Sequence, residues 1–153
     1  MSDVQAILSK LPAFETFNEK QLRALAKLMQ IEEHTSGTAF TTQGEVGKAC
    51  HLLIEGEVVV SRADELTGDE EELKVLQAGE LFGILSLLEK LPAAATCTAR
   101  GPVRTASLPR ADYKLLFKVA APIAFHFQWL VAQQLARDLL ERNRALRQHL
   151  VED

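Results

Sequence analysis

Only two cysteines, Cys50 and Cys97, occur in the chain; they lie far apart and belong to no Cys-x-x-Cys pair. A disulfide framework and a cysteine metal knuckle are thereby excluded, and the apolar stretch around each reads as a small buried hydrophobe kept reduced. Histidine is scarce as well: His51 falls inside the strand-rich region, His34 at its edge, and His126 and His149 in the C-terminal third. No three-ligand metal set is expected from them. Long apolar runs are missing, since Ala120 to Phe127 is far short of the ~20 residues that span a bilayer. Positive charge is in deficit, with 17 Lys and Arg against 21 Asp and Glu, which argues against a nucleic-acid or membrane-surface binder. The opening MSDVQAILSKLP has neither the basic start nor the apolar core of a signal peptide, and the two unpaired cysteines fit a reduced, cytoplasmic setting.

Catalytic signatures are absent too. Ser86 in Gly83-Ile84-Leu85-Ser86-Leu87 is not in a nucleophile elbow, and Gly44-Glu45-Val46-Gly47-Lys48 lacks the spacing and the closing Ser or Thr of a phosphate loop. The acidic run Asp64 to Glu72 lacks the ligand spacing of a calcium loop and reads as a solvated connection. No cofactor, no metal and no enzymatic activity are expected.

What is present is an ordinary globular composition, 47% hydrophobic and 25% charged, over 153 residues, which suits a single domain. Residues 1–30 read as two short helices. Val4, Ile7, Leu8 and Leu11 recur at helical spacing up to Pro12, and Asn18 with Gln21 forms a capping box ahead of a helix over about 19–30. Residues 31–110 change texture: short apolar stretches alternate with glycine turns, the pattern of a β-sandwich or barrel. Its clearest hairpin is expected at Glu55-Gly56-Glu57, between His51-Leu52-Leu53-Ile54 and Val58-Val59-Val60. Residues 111–153 are helical again, with Asp112 capping a short helix and Pro122 in the first turn of a long one. Unbroken from Ile123 to Leu150, that helix would be roughly 40 Å long and would outreach a small barrel.

Several strings in order carry a resemblance. Leu11-Pro12-Ala13-Phe14, Gly44-Glu45, His51-Leu52-Leu53-Ile54-Glu55-Gly56-Glu57-Val58, Gly79-Glu80-Leu81-Phe82-Gly83 and Pro92-Ala93-Ala94-Ala95-Thr96 are similar to the cyclic-nucleotide-binding domain of catabolite activators, kinase regulatory subunits and gated channels. The resemblance implies a mainly β fold, a double-stranded β-helix or cupin-like jelly roll, with N-terminal helices and a long C-terminal helix. It also implies that residues 79–99 form a phosphate-binding cassette, in which a glycine turn presents a short helix whose amides face a cyclic phosphate. Gly83, Leu85 and Ser86 would supply those amides.

Two charged side chains complete the family's cassette, a Glu for the ribose hydroxyl and an Arg for the phosphate; the matching positions here are Ile84 and Ala93, with Ala94 following. Hydrogen bonds to charged groups contribute about 1.5–3 kcal/mol each, so losing both removes about 3–6 kcal/mol. A micromolar binder would fall to roughly 0.1 mM or weaker. Among Lys48, Arg62, Arg100 and Arg104, the expected replacement cation is Arg100, which directly follows the cassette strand.

Along the terminal helix, Ala132, Leu135, Leu139, Arg142 and Leu146 step alternately by three and four residues, a short coiled-coil seam. Homodimerisation through Leu135, Leu139 and Leu146 is expected, as is the absence of a DNA-binding domain after that helix. The expected function is a non-catalytic regulatory or sensor module that contacts a protein partner and binds a cyclic nucleotide weakly or not at all. The competing expectation is a receptor for a cyclic nucleotide or other small anion, held by backbone amides and a displaced Arg.

Overall fold

The computed structural model describes residues 3–87 and 91–152. Two short helices, α1 (Asp3–Lys10) and α2 (Glu19–Ala26), lead into six strands: β1 (Gln30–His34), β2 (Ala39–Thr41), β3 (Ala49–Ala63), β4 (Glu70–Leu76), β5 (Leu81–Phe82) and β6 (Thr96–Pro109). Two further helices follow, α3 (Arg110–Val119) and α4 (Ala121–Glu152). All named strand pairs are antiparallel, in the order β1-β6-β3-β4, with β2 also on β6 and β5 also on β3. The glycine-punctuated pattern predicts such a β-rich centre, and the family resemblance implies this roll with flanking helices.

Leu52 and Leu53 are adjacent in sequence and both fully buried, which shows how the roll is filled. Leu52 packs with Leu8, Phe14, Leu25, Leu116 and Phe127 under the helices. Leu53 packs inside the roll with Val58, Leu76, Phe82, Cys97 and Val103. A strand covered on both faces has no polar side to alternate, so His51-Leu52-Leu53-Ile54 reads as a continuous apolar run.

The expected hairpin at Gly56 does not form. β3 runs straight through it, paired with β6 from Ala49↔Pro109 to Ser61↔Thr96 with register shifts on either side of Glu55. Gly56 is needed for a bulge: its φ is +95°, and a Cβ there would collide with the Pro102 carbonyl. Three other boundaries move. α2 ends at Ala26, because Leu28 donates to the Leu25 carbonyl in a closing turn and Met29 drops into the core before β1. The capping box of Asn18 and Gln21 forms as expected, at 2.8 and 3.0 Å. Asp112 lies inside the first turn of α3, whose N-cap is Pro109. The acidic connection is confined to a turn in which the Asp64 carboxylate accepts from the Leu66 and Thr67 amides, and Glu70 to Glu72 already belong to β4.

α4 buries Ile123, Ala124, Phe127, Leu130, Val131 and Gln134, an i, i+4, i+7, i+11 stripe against the roll and α3. His126 faces the N-terminal layer, stacked on Phe17 at 3.9 Å with Nε2 2.6 Å from the Thr16 hydroxyl. Beyond Gln134 the helix presents Leu135, Leu139, Leu140, Leu146 and Leu150 as exposed apolar side chains. Its 32 residues span about 48 Å, so the distal part projects past the roll. No described helix is long and apolar enough to cross a membrane.

Candidate functional site

Gly79 starts the segment in a left-handed turn at φ +96°, and its amide donates to the Leu53 carbonyl at 2.8 Å. The Leu53 amide returns a bond to the Glu80 carbonyl at 3.0 Å, which fastens β5 to the middle of β3. Gly83 follows at φ +69°, and a Cβ there would sit 3.2 Å from the Ala49 carbonyl and 3.3 Å from both the His51 ring and Thr41. Only glycine combines that conformation with that closeness. Ile84 to Leu87 then form a single 3-10 turn, packed against the loop between β2 and β3 so tightly that a Cβ on Gly47 would collide with the Ser86 hydroxyl.

Arg110 anchors this turn. Its Nη1 donates to the carbonyls of Gly47 at 3.0 Å and Ser86 at 3.1 Å, so one guanidinium at the head of α3 holds both the loop and the turn. Ile84, Ser86 and Leu87 are buried, and Ile84 is part of the core beneath the helices. The Ser86 amide donates to the Gly83 carbonyl at 3.1 Å and is therefore not available to a ligand. Residues 88–90 lie outside the described residues.

The second half of the segment is zipped to the β2–β3 loop. Gly44 donates to the Ala93 carbonyl at 2.9 Å, Ala93 donates to the Glu45 carbonyl at 2.8 Å, Gln43 donates to Thr96 Oγ1 at 3.0 Å, and Thr41 donates to the Ala95 carbonyl at 3.1 Å. Outside this zipper is an open cavity of about 500 Å³ lined by Gln43, Gly44, Arg62, Ala63, Glu65, Glu70, Pro92, Ala93, Ala94 and Thr96. Ala93 and Ala94 thus reach the cavity, whereas Gly83, Ile84, Leu85 and Ser86 are not among its lining residues.

The four candidate cations separate. Arg62 lines the cavity; Arg100 instead holds the Glu72 carboxylate at 2.9 and 3.0 Å, Arg104 approaches Glu55 at 3.9 Å, and Lys48 lines a different cavity beside α3. Strand pairing explains the outcome, since Arg100 is opposite Glu57 on β3 and is drawn to β4, while Arg62 lies at the end of β3 nearest the cassette tail. Gln43 and Arg110 carry no sequence signal of their own, because their roles depend on partners 20 to 63 residues away.

A sequence profile of the cyclic nucleotide-binding domain matches residues 31–119, more than half of the chain. The chain belongs to that family. A cAMP-dependent protein kinase regulatory subunit from Mycosarcoma maydis is 31% identical over 104 residues, 68% of this chain and 19% of that protein. A crystal structure of a cyclic nucleotide-binding domain from Methylobacillus flagellatus superposes with a TM-score of 0.82 at 25% identity, covering 95% of this chain and 82% of that one. The catabolite activator protein of Thermus thermophilus gives 0.73 at 30% identity, covering 92% and 63%. The chain spans about a fifth to a third of the kinase regulatory subunits it matches. The segment 79–99 is the stretch that the family resemblance assigns to the cassette, and it lies within the matched residues.

Around that cassette, burial sets the titration of the roll interior. His51, hydrogen-bonded to Ser107 at 2.9 Å and ringed by Phe40 and Phe82, is held down at about 4, chiefly because burial disfavours the imidazolium; nearby Glu32 opposes this and His34 adds to it. Burial pushes the Cys50 thiol up to about 12 and raises Cys97 as well, so both are unreactive at neutral pH.

Proposed function

We propose that this protein is a non-catalytic sensor module in which the cyclic-nucleotide cassette has been kept as a structural element while its ordinary ligand chemistry has been given up. The observation that carries this is Ile84. It stands where the family resemblance places an acidic ribose ligand, and it is packed into the core at 6% exposure. Ala93 stands at the arginine position with both of its backbone groups bonded to the β2–β3 loop. Neither position offers a cyclic phosphate or a ribose any charged contact.

In this reading the module works as one domain in the cytoplasm, as a homodimer through Leu135, Leu139 and Leu146 on α4, and its output is a contact with a protein partner. The exposure of all three leucines supports the dimer, because apolar side chains repeating along a projecting helix call for a cover. Calorimetric titration with cyclic AMP, cyclic GMP and cyclic di-GMP tests the ligand reading. Binding of either mononucleotide tighter than about 10 µM, roughly −7 kcal/mol, overturns it.

The second reading, a receptor for a small anion held by a displaced arginine, is favoured by one observation: Arg62 lines the cavity beside Ala93. Backbone amides contribute little to that reading, since those of Gly44, Ser86 and Ala93 already have partners.

A further inference from the structure

We infer that the cavity beside Ala93 receives a small zwitterion of the α-amino-acid type, its carboxylate facing Arg62 and its ammonium facing Glu65 and Glu70. The inference rests on the proposed loss of cyclic-nucleotide chemistry and names what the site takes instead.

The charges that line the cavity decide the ligand class. They are one guanidinium and two carboxylates, so a phosphate-bearing ligand without a cation meets net negative charge. Arg62 enters no ion pair among the described residues, whereas Arg100 and Arg104 are engaged by Glu72 and Glu55. Glu70 accepts the Ser61 hydroxyl at 2.8 Å, which aims one carboxylate oxygen and leaves the other for a ligand. A molecule carrying both signs satisfies all three groups, and a simple anion or a simple amine satisfies only part of them.

The rest of the lining narrows the recognition. Gln43 is consumed on both sides, its Nε2 donating to the Ala63 carbonyl at 3.1 Å and its Oε1 accepting from the Ala63 amide at 2.7 Å. It is a wall that holds β3 against the loop. The Ala93 amide and carbonyl are likewise occupied by Glu45 and Gly44, so recognition falls to side chains. Thr96 accepts from the Gln43 amide and keeps its hydroxyl proton to donate. Pro92, Ala93, Ala94 and Ala63 supply a small apolar wall for a ligand side chain, and about 500 Å³ is within the range of small-molecule sites.

The test is calorimetry on the full chain with each proteinogenic L-amino acid, with putrescine as an amine lacking a carboxylate, and with cyclic AMP. The expected result is at least one amino acid binding below about 1 mM. Arg62→Gln and Glu70→Gln should each weaken it about tenfold or more, with the thermal midpoint of the free protein unchanged within about 2 °C because both residues are on the surface. No amino-acid binding, binding indifferent to both substitutions, or putrescine binding as tightly as the amino acid overturns the zwitterion site. Cyclic AMP binding tighter than about 10 µM overturns the reading beneath it instead, so the two failures are distinguishable.

Discussion

The side-chain carbonyl of Gln134 accepts a hydrogen bond from the Leu81 amide at 3.4 Å, joining the terminal helix to the first strand of the cassette. Gln134 is buried at 1% exposure, donates to Asp138 at 3.1 Å and accepts from Arg137 at 2.9 Å. Lys74 strengthens the same junction: it contacts Glu80 on the cassette side at 3.4 Å and Glu141 on α4 at 2.8 Å. The cassette and α4 therefore share one polar joint, and a displacement of either loads the other. Gln134→Ala leaves the Leu81 amide buried without its acceptor, an expected loss of about 1–3 kcal/mol by urea denaturation. Hydrogen exchange should quicken at Leu81 and Phe82 beyond what that global loss produces.

Ile84→Glu places a carboxylate in the core beneath the helices. Desolvation raises its folded pKa above the ordinary ~4.3, so the penalty is absent when the carboxyl is protonated and grows as pH rises above that value. The expected loss is about 3 kcal/mol or more at pH 7, shrinking toward pH 4.5. Adding Ala93→Arg should recover part of it and raise cyclic AMP affinity at least about tenfold over the parent. No gain in the double variant would show that the zipper between residues 41–45 and 93–96 closes the site independently of these charges.

His51 makes the roll acid-sensitive. Its folded pKa of about 4 is below the ordinary 6.5, so between those values the unfolded chain binds a proton that the folded chain refuses. Stability from this group is fully present above about pH 6.5 and lost as pH falls toward 4, by about 3 kcal/mol in all. His51→Gln should flatten the fall in stability between pH 6.5 and 4.5 relative to the parent, read from parallel denaturant titrations. Equal slopes would show that the histidine is solvated and titrates normally.

Leu139→Glu addresses the exposed face of α4. At 60% exposure Leu139 makes little contribution to the core, so folded-state stability at dilute concentration should change by less than about 0.5 kcal/mol. Light scattering should change from a dimer to a monomer. A variant that remains dimeric refutes the helix-mediated assembly.

The cassette illustrates what could be read in advance. Gly79 and Gly83 are legible because both hold a positive φ, with Gly83 also close against the Ala49 carbonyl, and the capping box at Asn18 is legible because its two bonds span three residues. Gly56 reads from the sequence as a turn and serves a bulge; both demand the same backbone conformation, and only pairing with β6 distinguishes them. Arg100 directly follows the cassette strand in sequence, yet sequence neighbours on a strand point to opposite faces, and the cation that lines the cavity is Arg62.

By itself the sequence determined a glycine-punctuated β-rich centre between flanking helices, which rests on local periodicity and glycine stereochemistry, and it carried the strings through which the family resemblance is read. The tertiary structure alone decided that Ile84 is buried in the core, that the amides of Ser86 and Ala93 are spent internally, that Arg62 shares its cavity with Glu65 and Glu70, and that Gln134 meets Leu81. Each of these depends on groups brought together from distant parts of the chain, and hydrogen-bond satisfaction at such junctions is set by the packing of whole elements and leaves no trace in the order of residues along any one of them.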